Sequence, residues 1–219
     1  MIDILLSIFA PHICSGCHEY GTVLCQSCEN DIKNDSFGRC LWCLRPSTDV
    51  NQCSKCAAIT GARGVWVVSE RTDVMKRLLN DYKFEARREA ASAIATLLDA
   101  SLPRLPIDTI VTWVPTASAH IRERGFDHGA RLARMFADRR GLVAKSLLAR
   151  HSSQTQHTLK RKAREAAAQH AFHLKRSENS MPILVIDDIL TTGSTMRACL
   201  KLLRAADAQV YVAIVARQV

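Results

Sequence analysis

No run in the 219 residues approaches the roughly 18 consecutive apolar positions that cross a bilayer, so no membrane span is expected. Residues 1–10 carry an apolar stretch at 4–9, but they lack a basic leader and fall short of an export signal's core of about 7 to 15 residues. A cytoplasmic location is therefore expected. Ile2, Leu5, Leu6 and Phe9 sit at helical spacing, and the opposite face lacks the Lys and Arg of an interfacial helix, so this face is expected to pack on the chain itself. A Gly-x-x-x-x-Gly-Lys loop is also missing, which excludes a P-loop nucleotide site. Aromatic residues are only 5% of the chain, and its most basic stretch holds Phe172 alone, fewer than a protein dedicated to stacking bases normally shows.

What is present divides in two. Eight of the nine cysteines lie between Cys14 and Cys56, as the pairs Cys14/Cys17, Cys25/Cys28, Cys40/Cys43 and Cys53/Cys56. A two-residue gap lets both thiolates of a pair turn onto one metal ion, and two pairs complete the closed tetrahedron of a structural zinc. Without an export signal, disulfides are disfavoured. Consecutive pairing, with Cys14, Cys17, Cys25 and Cys28 on one ion and Cys40, Cys43, Cys53 and Cys56 on the other, closes shorter loops than an interleaved arrangement, which stays open as the alternative. His12 and His18 read as bystanders. Cys199 shares an apolar helical face with Met196, Leu200 and Leu203 and reads as a buried structural thiol.

The charge follows the same division. The net +9 is absent from residues 1–60, where six acids meet four bases, and concentrates in 145–176, where eight bases meet Glu165 alone. Such a block suits either a polyanion or a solvated helix face.

From Val65 onward hydrophobic periodicity takes over, giving domains at 1–60 and 61–219 with the boundary near the glycines Gly61 and Gly64. Strands are expected at 65–69, 107–114, 183–186 and 210–215, and a short one at 143–148. Helices are expected at 74–79, 89–98, 128–139, 160–170 and 195–205, with a loop after Pro115. Strands alternating with helices predict an α/β fold, a parallel sheet flanked by helices.

Residues 183–195 read Ile-Leu-Val-Ile-Asp-Asp-Ile-Leu-Thr-Thr-Gly-Ser-Thr. An apolar strand ends in two carboxylates and a Thr/Gly/Ser loop then enters a helix, the end of a parallel strand where ligands sit. Amides at a helix N-terminus suit a phosphate, Gly193 permits close approach, and Thr191, Thr192, Ser194 and Thr195 add hydroxyls. Asp187 and Asp188 can accept hydrogen bonds from the two hydroxyls of a ribose. The bland alternative is a capped helix after a core strand, with Ser194 as N-cap, but a cap alone does not need two adjacent acids.

This segment resembles the phosphoribosyl pyrophosphate signature of type I phosphoribosyltransferases. Trp113-Val114-Pro115, Arg122-Glu-Arg-Gly-Phe126, Tyr82-Lys83-Phe84 and the spacing of Gln156, Leu159, Arg164 and Phe172, all after a double cysteine module, are similar to the ComF branch of competence proteins. Asp127-His128 departs from the Asn-Gln common there. The resemblance implies a type I phosphoribosyltransferase-like sheet behind a small N-terminal zinc-ribbon module with two structural zinc ions. It assigns the ribose to Asp187 and Asp188, the 5′-phosphate to Thr191, Thr192, Gly193, Ser194 and Thr195, and the pyrophosphate to a loop with Thr116 and Ala117. Magnesium accompanies the ligand, and Arg122 and Arg124 are the cations expected to stabilise the leaving group. Transfer to an unknown acceptor is one implied function, linked to DNA uptake in natural transformation. The other is a non-catalytic sensor that binds single-stranded DNA beside a helicase-like partner.

Overall fold

The computed structural model describes residues 12–34, 37–47, 51–84, 88–151, 171–176, 178 and 180–219. The expected helix at 160–170, most of the basic block 145–176, and the helical face at 2–9 lie outside the described residues.

Two cysteine knuckles open the described part of the chain, and they repeat each other in backbone detail. In each, a short bridge, Ile13 with Tyr20 and Arg39 with Pro46, closes a turn carrying the first cysteine pair. The residue after the pair, His18 or Leu44, takes a left-handed backbone with φ of 65° or 62°, and its amide returns to the carbonyl of Cys14 or Cys40. The second pair of each knuckle enters a helix, α1 (Gln26–Asn34) or α2 (Ser54–Thr60).

The remainder is β1 (Gly64–Glu70), α3 (Asp73–Phe84), α4 (Arg88–Ser101), β2 (Ile110–Trp113), α5 (Ser118–Arg124), α6 (His128–Arg140), β3 (Val143–Ala144), β4 (Leu148–Arg150), β5 (Phe172–Leu174), β6 (Pro182–Leu190), α7 (Ser194–Ala205) and β7 (Gln209–Arg217). Five strands form one parallel sheet in the order β1-β7-β6-β2-β3, while β4 and β5 pair separately as an antiparallel ribbon. The parallel sheet flanked by helices is as expected.

Strand alternation builds two cores. Val111, Leu184, Ile186, Ala213 and Val215 face α3, α4 and α6, where Leu78, Ile94, Leu132 and Phe136 are buried. Val65, Ile183, Val185, Val212 and Ile214 face α7, where Met196, Cys199, Leu200 and Leu203 are buried. The knuckles divide between the two. Cys14, Val23, Leu24, Cys28 and Ile32 join the first core, and Phe37, Cys40, Leu41, Trp42 and Cys56 join the second.

The differences from sequence expectation have local causes. The strand expected at 107–114 starts at Ile110, because Thr109 closes a turn on the Pro106 carbonyl and leaves Ile107 90% exposed. The stretch 143–148 serves two sheets, with β3 on the edge of the main sheet and Leu148 opening the ribbon. The loop after Pro115 contains α5, stopped by Gly125 in a left-handed conformation. Strand β6 runs on past Ile186 to Leu190, so both aspartates lie within it and project to opposite faces of the sheet.

Candidate functional site

The eight clustered cysteines assemble as the consecutive pairing predicts. Cys14, Cys17, Cys25 and Cys28 form one group and Cys40, Cys43, Cys53 and Cys56 the other, each with its ligand atoms within 4.8 Å of one another. Four thiolates at the zinc–sulfur distance sit about 3.8 Å apart in a tetrahedron. The Cys17–Cys25 and Cys43–Cys53 sulfurs are 3.6 and 3.8 Å apart, and no disulfide occurs among the described residues. Burial raises the Cys14 thiol, but amides of Cys25, Cys17 and Gly16 outweigh it and hold it at about 6. In the same group burial, then Cys25 and Cys14, pushes Cys28 up to about 12, so four thiolates need a dication to coexist. Both groups fit structural zinc sites. Gly16 is required by close approach, since a Cβ there would lie 2.3 Å from the Cys28 sulfur.

The second feature is a cavity of about 250 Å³ at the C-terminal ends of β2 and β6. The sheet reverses its winding here, with β3 beyond β2 on one side and β7 beyond β6 on the other. Three pieces of backbone meet around it: the loop 115–117 after β2, the aspartates of β6, and the loop 191–195 leading into α7.

The loop 115–117 is held from beneath by Asp127, the N-cap of α6. Its carboxylate accepts from the Thr116 hydroxyl at 2.9 Å, the Ala130 amide at 3.1 Å and the Trp113 indole at 3.3 Å. Thr116 is thus engaged through its side chain with the protein.

Asp188 faces α3 and α6. Its Oδ2 is ion-paired with Lys83 and lies 3.1 Å from His128 Nε2. Arg124 Nη1 lies 3.0 Å from His128 Nδ1, and a guanidinium can only donate. His128 therefore presents Nε2–H to Asp188. Burial alone would raise Asp188, but the His128 hydrogen bond and the Lys83 charge outweigh it and hold the carboxyl well below the usual range. Asp187, on the other face, is pushed well above it by desolvation and by the charge of Asp188. The two neighbouring carboxyls are thus shifted in opposite directions, Asp188 down and Asp187 up.

At the opposite wall Gly193 caps α7 with φ of 73°. Thr191 and Thr192 are exposed, and Ser194 and Thr195 half-exposed. The Ser194 amide meets the Thr192 hydroxyl at 3.4 Å. The first amides of α7 have no carbonyl one turn back, which leaves a donor cluster with the positive end of the helix dipole behind it.

The structure brings Thr116, Ala117, Arg124, Asp187, Asp188, Thr191, Thr192, Gly193, Ser194 and Thr195 to one cavity. Arg122 is not among its lining and is exposed on α5. Lys83, His120, His128 and Arg150, which the sequence did not single out as site residues, also line the cavity. Arg150 stands at the end of β4 with its guanidinium over Phe172, 5.5 Å from the ring centre. Cys199 is fully buried, and burial raises its thiol, as a structural residue requires.

Residues 121–218 match the profile of the phosphoribosyl transferase domain. The chain is 27% identical over 204 residues to the DNA utilization protein YhgH of Salmonella typhi, covering 82% of this chain and 90% of that protein. It is 28% identical over 144 residues to the protein of the same name from Salmonella typhimurium, covering 62% and 63% of the two. The solved allosteric regulatory enzyme of purine biosynthesis aligns over 62% of this chain at 22% identity with a TM-score of 0.43, and the chain spans 29% of that enzyme's length.

Proposed function

We propose that this chain is a phosphoribosyltransferase-family protein of the ComF branch and binds phosphoribosyl pyrophosphate in the cavity between β2 and β6. The observation that carries the reading is the convergence of two carboxylates, a donor loop at a helix N-terminus and a cationic wall on one cavity. Asp187 and Asp188 accept the ribose hydroxyls, and the loop 191–195 takes the 5′-phosphate. The backbone at Thr116 and Ala117 takes the pyrophosphate, with Lys83, Arg124 and Arg150 supplying positive charge. Asp187 and Asp188 are the carboxylates beside which a magnesium ion accompanying the ligand would be held, and it would supply further neutralisation of the pyrophosphate.

With an acceptor present, the carbon–oxygen bond at C1 of the sugar breaks, pyrophosphate leaves, and the acceptor's lone pair forms the new bond. The protein's part is to hold the sugar phosphate still and to place cations around the departing oxygens. Arg124 is the better placed of the two predicted arginines.

A second reading, a ligand-sensing accessory protein that handles single-stranded DNA in transformation, draws support from the name of the Salmonella relatives and from the cations Lys145, Arg150, Lys175 and Arg176.

Calorimetric titration of phosphoribosyl pyrophosphate with magnesium tests the binding. Replacing Asp187 and Asp188 by Asn is expected to weaken it by about 1.5 to 3 kcal/mol per lost charged hydrogen bond. Wild-type protein that takes up no ligand at millimolar concentration overturns the reading. Pyrophosphate release across a panel of bases and amines separates enzyme from sensor, as does strand binding that survives the Asn substitutions.

A further inference from the structure

The two cysteine knuckles share a backbone but differ at the third position of the first pair's turn, where one has Gly16 and the other Trp42. Gly16 packs on its own cluster. Trp42 packs outward, onto the loop at the cavity. A Cβ on Gly193 would stand 3.3 Å from two atoms of the Trp42 ring. The indole is fixed from behind by its N–H to Gln52 at 2.8 Å, and Gln52 in turn donates to the Ala62 carbonyl and accepts from Thr60. The guanidinium of Arg197 lies over the Trp42 ring, 5.5 Å from its centre, and donates to the Thr192 carbonyl at 2.8 Å.

Arg217 completes the tie. It is 5% exposed, and its guanidinium donates to the carbonyls of Leu41 at 2.9 Å, Leu190 at 2.9 Å, Thr191 at 2.5 Å and Gln218. The carbonyls of Leu190, Thr191 and Thr192 are therefore all drawn toward two arginines that rest on residues 41 and 42, inside the Cys40–Cys43 turn. In a trans peptide the N–H points opposite to the C=O. Drawing these three carbonyls back turns the amides of Thr191, Thr192 and Gly193 the other way.

We propose that the second four-cysteine cluster is the outer wall of the phosphate loop. Trp42, Arg197 and Arg217 are positioning residues, and filling of the second metal site, rather than the first, sets ligand affinity. The inference rests on the reading that loop 191–195 holds a phosphate. The first cluster is tied elsewhere, through Arg77 to the carbonyls of Ser15 and Gly16 and through Ser15 to Asp81 on α3.

The test compares matched ligand losses, Cys17→Ser in the first cluster and Cys43→Ser in the second, both exposed members of their groups. Zinc per chain is measured by elemental mass spectrometry, and affinity for magnesium phosphoribosyl pyrophosphate by calorimetry. Cys43→Ser is expected to lower affinity roughly tenfold or more, and Cys17→Ser by less than about threefold. Equal losses overturn the assignment. Where either variant fails to fold, Arg197→Ala in the zinc-loaded protein decides. It is expected to speed amide exchange at 191–193 and to weaken binding roughly tenfold. Unchanged exchange and affinity in Arg197→Ala overturn the inference. If the wild type itself binds no ligand, the phosphate reading fails instead, and faster exchange in Arg197→Ala would still show the wall.

Discussion

Two neighbouring aspartates sit in opposite electrostatic situations, and their variants should move stability in opposite directions. Desolvation, reinforced by Asp188, raises the Asp187 pKa in the folded protein, so ionising it costs stability as pH climbs above the ordinary value of 3.8. Asp188 is held low despite its burial, and the stability it contributes is complete above 3.8 and is lost as pH falls through its folded pKa. At pH 7 Asp187→Asn is expected to stabilise the empty protein by about 1 kcal/mol, a melting shift of roughly 2 to 4 °C. Asp188→Asn strands Lys83, only 12% exposed, beside a neutral group and is expected to cost about 3 kcal/mol. Urea melts of the zinc-loaded variants measure both, and shifts of the same sign would refute the assignment.

At the scale of elements, the loop into α7 can be separated from ordinary helix ends by comparing two glycines. Gly141 closes α6 with φ of 64° and open space around it, whereas Gly193 opens α7 with φ of 73° against Trp42. Each Gly→Ala change should cost about 1 to 2 kcal/mol of backbone strain. Only Gly193→Ala should also weaken binding of phosphoribosyl pyrophosphate, as titration of the two variants would reveal; equal affinities would mean that the loop conformation is not used. Strand β6, helix α7 and the aspartate pair were legible because each is written in consecutive residues with its own period. The cysteine grouping was legible for the same reason, since short loops join the pairs. Lys83 and His128 were not, because their significance arises only when α3 and α6 converge on Asp188 from far away in the chain. The ribbon of β4 and β5 escaped because its strands are three residues each, too short for a period. Trp42 stands between Cys40 and Cys43, and nothing in its neighbourhood of sequence points to Gly193. The Asp127-His128 departure, by contrast, stood in plain view, and these two residues support the loop 115–117 and Asp188.

For the molecule as a whole, the break in composition near residue 60 does not coincide with a break in packing. The first cluster lies in the core with α3 and the second in the core with α7, so the cysteine region covers both faces of one sheet. Arg77 and Arg217 stitch the halves further through the backbone carbonyls of Ser15, Gly16 and Leu41. A chain cut to residues 61–219 would uncover apolar surface on both faces and leave Arg217 without one of its acceptors. Such a fragment is expected to bind hydrophobic dyes and to lose its near-ultraviolet circular dichroism while keeping helical signal, the marks of lost specific packing. In the intact protein, a strong chelator should remove two zinc ions per chain and undo the specific packing of both cores in one step, with helical signal kept as in the fragment. Zinc release, near-ultraviolet signal and the fluorescence of Trp42, Trp66 and Trp113 should then coincide. A fragment 61–219 that unfolds cooperatively with wild-type stability would show the opposite, that the sheet needs neither cluster. The zinc sites would then be an attachment to the fold, and the contact between Trp42 and Gly193 would have to be explained by the ligand alone.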